Sequence, residues 1–380
     1  MSVINYLTQT TRVRTVLDNQ IISLQPRLNP FLYGHQTVEQ TFLTSWNSGR
    51  IPHAWLLSGP KGIGKATLAF RIARFVLASK RDEKTGINLF GDIEANLEIE
   101  CDDPVFKRVA SGGHADLMTL ERPVDKETNR LKSSIPIESV RTAGDFLRRT
   151  ASEGGWRVLV IDSADELNLN AANALLKILE EPPDKALILL VSHAPGQLLP
   201  TIHSRCCKIK MAPLNANDFK AIISELKADI SEEDIGVLEQ LSEGCPGRAL
   251  QLSNENGLAL YAELVSLIRY LPDINSTALH KFGDQLARQG AEKHFYLVIE
   301  LLAWWISRLA RMTAKGNVIP DILPEEEGCA ARLAKQTRVD HWLEVWEKIN
   351  VLARQTNQLN LDRKHVLINI FEALKGAARG

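Results

Sequence analysis

The feature that most constrains the fold is a glycine-rich loop between a strand-like run and a helical run. Residues 54–57 are apolar and lead into Ser58-Gly59-Pro60, where the chain is expected to turn. Apolar residues then recur at helical spacing, at Leu68, Ile72, Phe75 and Val76. This order predicts a strand, a tight loop and a helix.

Three further apolar runs have the length of buried strands. They cover residues 117–120, 158–161 and 187–191, and helix-like stretches such as residues 173–179 accompany them. Apolar strands that alternate with helices indicate a parallel sheet covered on both faces. The sequence therefore predicts a doubly wound α/β domain.

After Met211 strand-like runs no longer occur, and the rest of the chain has the pattern of helices. A small helical unit ends near residues 248–250, and a longer helical region follows it. We therefore predict four segments, namely an N-terminal extension (1–27), the α/β domain (28–211), a small helical domain (212–258) and an all-helical domain (259–380).

One broad apolar stripe marks a long helix of the last domain. Its members are Phe295, Val298, Ile299, Leu302, Trp305, Ile306 and Leu309. Trp305 is a member of this stripe, and Trp304 directly precedes it. Helical phasing favours a core or subunit-interface role for both tryptophans over a platform on which nucleic-acid bases stack.

The charge balance excludes a global attraction to DNA or to an anionic membrane. Lys plus Arg number 45 and Asp plus Glu 46, so the net charge is −1. The first residues lack the apolar region of a signal peptide, and the run at residues 297–306 is interrupted by Glu300 and too short to span a bilayer. We expect a soluble, cytoplasmic protein without a membrane partner.

The cysteines indicate neither a disulfide framework nor a zinc site. There are five, an odd number, and none forms a CxxC pair. We therefore expect reduced thiols and no zinc.

The turn after the first strand fits the phosphate-binding pattern GxxxxGK. Gly59, Gly62 and Gly64 allow backbone N–H groups and a helix N-terminus to face phosphate oxygens, and Lys65 is expected to reach the terminal phosphates of ATP or ADP. The alternative is an ordinary glycine turn that joins a strand to a helix. The order of strand, loop and helix favours the phosphate loop.

The position after the lysine lacks the usual magnesium ligand. A Ser or Thr hydroxyl normally coordinates Mg²⁺ there, and this chain has Ala66. Thr67 follows, but one residue along a helix turns the side chain by about 100°. We therefore expect a weakened Mg²⁺ site even if nucleotide is bound.

The second catalytic position is also altered. Asp162 follows the apolar run 158–161 and is placed to contact Mg²⁺ directly or through water. The next residue in ATPases of this kind is a glutamate that orients the attacking water, and here it is Ser163, which cannot act as a base at neutral pH. Asp165 and Glu166 are interpreted as solvated or helix-capping carboxylates.

Five short motifs make the chain resemble the clamp-loader family of AAA+ proteins. The most specific are residues 173–177, 179–183 and 204–206, which read NALLK, LEEPP and SRC. Residues 34–36 and 50–54 also match, so the resemblance covers roughly residues 28 to 250. It implies a small helical lid and a helical collar after the AAA+ domain.

The resemblance also implies roles for two arginines. Arg205, in the SRC motif, is implied to reach in trans to nucleotide held by a neighbouring subunit, whereas a surface ion pair is the alternative. Arg248 matches the segment that touches nucleotide in cis, although an ordinary helix-surface arginine is an equal alternative. The implied partners are other clamp-loader subunits in a hetero-oligomeric ring, the sliding clamp, and primed DNA through the assembly.

Departures from the family pattern narrow the role. Ala66 and Ser163 favour a subunit that contributes Arg205 but hydrolyses ATP poorly or not at all. The alternatives are an active ATP-hydrolysing motor subunit and a nucleotide-sensing AAA+ scaffold outside replication. Many clamp-loader subunits hold zinc with four cysteines before the Asp162 strand, and here only Cys101 lies between Phe75 and that aspartate.

Overall fold

The structure, a computed structural model, describes residues 25–79, 95–124, 132–153, 155–226, 230–316, 321–326 and 328–379. Most of the predicted N-terminal extension therefore lies outside the described residues. The chain divides into two compact units. One comprises Met1–Leu226 with Cys245–Gly247, and the other comprises Lys227–Gly244 with Arg248–Gly380. The predicted boundaries of the small helical domain stay predictions.

The first unit is built on a five-stranded sheet in the order β2-β3-β4-β1-β5. Every strand pair is parallel. The strands are β1 (Ala54–Ser58), β2 (Leu117–Leu120), β3 (Arg157–Ile161), β4 (Ala186–Ser192) and β5 (Cys207–Lys210). The predicted α/β class is confirmed.

Helices precede, connect and follow these strands. They are α1 (Gln36–Asn47), α2 (Lys65–Ala78), α3 (Pro104–Ala110), α4 (Ile137–Arg148), α5 (Leu169–Glu180), α6 (Pro200–His203) and α7 (Ala216–Leu226). Asn168 caps α5, because its side chain accepts a hydrogen bond from the Ala171 N–H.

The two faces of the sheet are both buried. Leu56, Leu159 and Ile188 pack with residues of α4 and α5 in one apolar cluster. Trp55 and Leu189, which point to the opposite face, are fully buried as well, and α2 contacts β1, β3 and β4. Burial on both faces explains why these strands are continuous apolar runs rather than alternating ones.

The strand order places three chain turns at one edge of the sheet. β4 lies between β1 and β3, with Ser58 paired to Ser192 and Ile161 paired to Leu190. Because the strands are parallel, the loops that follow all three leave from the same edge. In parallel sheets this is the edge where ligands bind.

The second unit is helical in its described residues. Its helices are α8 (Glu232–Ser242), α9 (Pro246–Asn254, of which the first two residues belong to the first unit), α10 (Gly257–Ile268), α11 (Ser276–Ala287), α12 (Glu292–Lys315), α13 (Cys329–Gln336), α14 (Val339–Leu359) and α15 (Arg363–Arg379). The predicted change from strands to helices after Met211 is confirmed.

The apolar stripe of α12 forms part of the core of this unit. Trp305 is almost fully buried. Trp304 packs edge-on against Tyr261 and donates a hydrogen bond to Glu243 at 3.0 Å. Both tryptophans therefore take part in packing within the chain, as their helical spacing predicted.

Candidate functional site

The loop after β1 has a backbone that only glycine adopts easily. Gly59, Gly62 and Gly64 all have positive φ angles, of 153°, 80° and 104°. A Cβ atom on Gly59 would lie 2.4 Å from the carbonyl oxygen of Met211. The loop ends where α2 begins, and the first N–H groups of a helix have no intrahelical acceptor. The geometry therefore suits an anion at the start of α2.

Lys65 is buried within this loop, with 2% of its surface exposed. Its Nζ atom donates to the carbonyl oxygens of Gly59 at 2.7 Å and of Pro60 at 2.6 Å. Burial lowers the pKa of Lys65 to about 8, an effect partly opposed by acidic groups that include Asp165 and Asp162. The ammonium is thus held by backbone carbonyls at the place predicted for phosphate.

The start of α9 contacts the same loop. The Gly247 N–H donates to the carbonyl oxygen of Gly62 at 2.8 Å. A Cβ atom at residue 247 would lie 2.7 Å from that oxygen, so the contact requires glycine. Cys245–Gly247 belong to the first unit, and they close one side of the phosphate loop.

The segment before α1 also approaches the loop. His35 is buried, and its imidazole interacts with the backbone of Ile63. Burial lowers the pKa of His35. In the sequence this histidine belongs to the motif at residues 34–36, and the structure places it beside the phosphate loop.

The magnesium positions differ from those of an active ATPase. At the second position of α2, the side chain of Ala66 has no oxygen that could coordinate Mg²⁺. Thr67 is buried, with 8% of its surface exposed. Its predicted contact with nucleotide stays a prediction.

Asp162 lies at the end of β3, and its N–H donates to the carbonyl oxygen of Leu120 at 2.9 Å. Burial raises the pKa of this carboxyl group, with a further contribution from Glu121, while Lys65 acts in the opposite direction. The charges of Lys65 and Asp162 therefore each influence the pKa of the other group. The sheet order places the end of β3 at the same edge as the phosphate loop, and the predicted contact of Asp162 with nucleotide stays a prediction.

Ser163 directly follows Asp162, where the sequence predicts the position of the water-orienting glutamate of ATPases. Its backbone is left-handed, with φ 63° and ψ 62°, an uncommon conformation for a residue other than glycine. Its Oγ atom lies 3.2 Å from Nε2 of His193. The backbone N–H of His193 donates to Oδ1 of Asp165 at 2.8 Å. Two contacts thus connect the end of β3 to the end of β4.

Asp165 and Glu166 are more specifically bound than the sequence analysis expected. Asp165 accepts the His193 N–H, and Glu166 forms an ion pair with Arg122 at 2.8 Å. Neither carboxylate caps a helix in these contacts. Both act as structural partners of neighbouring segments rather than as freely solvated groups.

His193 is a site residue that sequence reasoning missed. Burial lowers its pKa to about 4, and Lys65 adds to this effect. The imidazole is therefore neutral at neutral pH. The available signal was its position, because His193 follows the last residue of a buried strand, as Asp162 does.

Arg205 lies between α6 and β5. Its NH1 group donates to the carbonyl oxygen of Thr201 at 3.0 Å and to Oγ of Ser204 at 3.3 Å. Its NH2 group forms an ion pair with Oε1 of Glu180 at 2.8 Å. The Arg205 side chain remains 34% exposed and that of Glu180 50% exposed.

Arg248 lies in the second unit, where it forms an ion pair with Glu300 at 2.6 Å. Its predicted contact with nucleotide stays a prediction.

Within the described ranges, no group of three or more His, Cys, Asp or Glu residues is arranged to hold a metal ion. None of the five cysteines, all of which lie in the described ranges, takes part in a disulfide bond. Among the described helices, none combines the length and apolar character that crossing a bilayer requires.

The parallel sheet, the glycine loop with its lysine and the strand-end carboxylate define a P-loop nucleotide-binding type of protein. Comparison with known proteins narrows this class. A family model described as "DNA polymerase III, delta subunit" matches residues 34–215. The chain is 35% identical to DNA polymerase III subunit delta' of Pseudomonas aeruginosa over 222 aligned residues. The aligned region covers 58% of this chain and 61% of that protein.

A second relative covers more of both chains. DNA polymerase III subunit delta' of Yersinia pestis is 30% identical over 266 residues, which is 68% of this chain and 72% of that protein. The chain belongs to the DNA polymerase III delta-prime family. This confirms the clamp-loader resemblance.

Two further similarities are weaker. DNA polymerase III subunit tau of Escherichia coli is 28% identical over 61% of this chain and 33% of its own length. A solved structure of a DNA polymerase III gamma subunit-related protein from Thermotoga maritima covers 89% of this chain and all of that chain, at 19% identity and a TM-score of 0.39. A superposition this loose carries no functional conclusion.

Proposed function

We propose that this chain is a clamp-loader subunit that completes a hetero-oligomeric ring and helps to load the sliding clamp onto primed DNA. In this role it supplies Arg205 in trans to nucleotide on a neighbouring subunit and hydrolyses ATP slowly or not at all. The observation that carries the proposal is residue 163, where a serine bound to a neutral imidazole stands in place of a base.

The loss of hydrolysis follows from two residue types. A positioned general base contributes about 10²–10⁴-fold to such reactions, and the Ser163 hydroxyl cannot serve as one at neutral pH. Ala66 removes the hydroxyl that holds Mg²⁺ near the terminal phosphates. The two deficits affect different parts of one reaction, so neither compensates for the other.

Nucleotide binding is a separate property from hydrolysis. The glycine backbone, the start of α2 and Lys65 suit ATP or ADP phosphates, with Mg²⁺ held weakly. The residues that we assign to nucleotide are Gly59, Gly62, Gly64, Lys65, Thr67, Asp162 and Arg248. For phosphate to engage Lys65, its ammonium must exchange the carbonyl oxygens of Gly59 and Pro60 for phosphate oxygens.

The chemistry of Arg205 suits action on another subunit. A guanidinium is planar, permanently charged and able to donate two parallel hydrogen bonds to phosphate oxygens. An arginine supplied in trans stabilises charge that develops in phosphoryl transfer and is worth roughly 10³–10⁵ in rate. Partial exposure of Arg205 supports this assignment because a partner's phosphate must be able to reach it.

Two alternatives were open from the sequence. Ser163 and Ala66 disfavour an active motor subunit, since other groups would have to supply both the general base and the Mg²⁺ ligand. Membership in the delta-prime family disfavours a scaffold unrelated to replication.

The test is reconstitution of the loader from this chain and the other loader subunits of its own organism. Steady-state ATPase and clamp loading on primed DNA are measured with the unaltered chain, with Arg205→Ala and with Lys65→Ala. We expect the arginine change to have the larger effect. Normal loading with Arg205→Ala and none with Lys65→Ala would invert these roles.

A further inference from the structure

Glu180 is the last residue of α5, and its carboxylate faces the arginine that we assign to a neighbouring nucleotide. Oε1 of Glu180 lies 2.8 Å from NH2 of Arg205. The two residues come from different elements, the C-terminus of α5 and the turn between α6 and β5. No motif in the sequence indicated that they meet.

The location of Glu180 is electrostatically unfavourable without a partner. The C-terminus of a helix carries partial negative charge, which repels carboxylates there. Glu180 ends α5 and Glu181 follows directly. This concentration of negative charge attracts cations. Lys177 lies in the same last turn, and Arg205 forms an ion pair with Glu180.

The rest of the guanidinium is held on the other side. NH1 of Arg205 donates to the carbonyl oxygen of Thr201 and to Oγ of Ser204. Among the described residues these contacts and the bond to Glu180 use three of the five N–H donors of the group. The side chain thus has a defined resting position and retains donors for an incoming phosphate.

The ion pair between Arg205 and Glu180 is weak enough for Arg205 to change partners, and it contributes little to the stability of the fold. Its side chains are 34% and 50% exposed, and pairs in such surroundings shift an equilibrium by only about twofold to fivefold. The pair between Arg308 and Glu326 differs, because those side chains are 4% and 2% exposed. A triphosphate carries more charge than one carboxylate, so it can displace Glu180 from Arg205.

We propose that Glu180 is the positioning residue of Arg205, holding it in these contacts until a neighbouring triphosphate competes for it. This inference rests on the proposed trans role of Arg205. Because Glu180 competes with the neighbouring triphosphate for Arg205, the ion pair lowers ATP hydrolysis at that site, and the effect is expected to be largest in the ring without clamp and DNA.

The test uses Glu180→Gln in the reconstituted loader, with Glu181→Gln as the matched control. Glutamine keeps the size of the side chain and removes the charge. We expect a twofold to fivefold higher ATPase rate without clamp and DNA, and a rate within twofold of the unaltered ring when both are saturating. The control variant removes the same charge one residue further on and is expected to match the unaltered ring in both conditions.

A double-mutant cycle shows whether Glu180 acts through Arg205. In the Arg205→Ala background, Glu180→Gln is expected to have no further effect. An equal increase in that background, or a basal rate that Glu180→Gln leaves unchanged or lowers, overturns the inference.

The cycle also separates this inference from the proposed function. If Arg205→Ala lowers the stimulated ATPase while Glu180→Gln changes nothing, the trans role stands and the positioning role fails. If Arg205→Ala itself changes nothing in a correctly assembled ring, the proposed function fails and the inference fails with it.

Discussion

The Lys65 ammonium donates a hydrogen bond to the carbonyl oxygen of Gly59 at 2.7 Å, inside the loop that is shaped to receive phosphate. A second bond goes to the carbonyl oxygen of Pro60. In these contacts the buried cation is held by backbone dipoles, and the charges of Asp162 and Asp165 favour it as well. Its desolvation lowers the stability of the unliganded protein.

We accordingly expect Lys65→Met to stabilise the unliganded chain at pH 7. The pKa of Lys65 falls from 10.5 to about 8, and about 1.4 kcal/mol per unit gives an upper bound near 3 kcal/mol. Two lost hydrogen bonds reduce the expected gain to about 1–2 kcal/mol. Urea denaturation measures this gain in the free energy of unfolding. Lys61→Met, at an exposed position of the same loop, is the control.

The pH dependence gives the same prediction an independent check. Between about pH 8 and 10.5 the unfolded state binds more protons at residue 65, so the stability of the unaltered chain rises with pH there. Lys65→Met is expected to lack this contribution. A destabilised Lys65→Met chain at pH 7 would show that the lysine supports the fold.

His193 should make the chain sensitive to mild acid. Its pKa is lowered from 6.5 to about 4, so between these values the unfolded state binds more protons and stability falls as the pH falls. The loss approaches about 3 kcal/mol at most. His193→Gln should reduce the slope, because its amide can still bond Ser163 without taking up a proton. Thermal melting from pH 7 to pH 4 measures the slope, with the exposed His280→Gln as control.

The isolated chain is expected to hydrolyse ATP well below the roughly 1 s⁻¹ at the low end of typical enzymes. Restoring one missing group should not be enough, since Ser163→Glu leaves the magnesium position empty and Ala66→Thr leaves no base. Each single variant should stay within about threefold of the unaltered chain in a phosphate-release assay. A turnover above 1 s⁻¹ that Lys65→Ala abolishes would instead identify an active motor.

Arg205→Ala is expected to leave folding unchanged, within about 0.5 kcal/mol, because its ion pair is partly exposed. In the assembled loader it should partly reduce the ATPase stimulated by DNA and clamp, since only the site that faces this chain loses its arginine. Arg205→Lys should not restore the rate, because an ammonium lacks the planar fork of donors. Rescue by lysine would mean that charge alone is sufficient.

Glu326→Ala is expected to destabilise the helical unit by about 3–5 kcal/mol. Glu326 accepts a hydrogen bond from the Tyr261 hydroxyl at 2.6 Å and pairs with Arg308 at 3.2 Å, and all three side chains are buried. Removing the carboxylate leaves a buried guanidinium without this counter-charge. Asp340→Ala is the control, because its pair with Arg338 is 60% and 81% exposed and should contribute less than about 1 kcal/mol. Equal stability losses in a denaturation series would refute the distinction.

Much of the phosphate loop could be predicted from the sequence, because its chemistry depends on local residue type. Only glycine adopts the backbone at Gly59, Gly62 and Gly64 without strain. An alanine at residue 66 cannot bind Mg²⁺ and a serine at residue 163 cannot act as a base, whatever the fold around them. Buried strands on both faces likewise show as apolar runs, so the parallel sheet was predictable.

The partners of the site residues were not predictable in this way, because they depend on which strands lie side by side. Placing β4 between β1 and β3 brings His193 to Ser163, 30 residues away in the chain. It also buries the imidazole near Lys65, and burial first and the lysine charge second lower the pKa of His193. The spacing of residues along the sequence does not indicate such a contact. By itself, the sequence determined the family, the sheet and the missing catalytic groups, whereas the packing of α5 against the Arg205 turn decided that Glu180 holds the arginine.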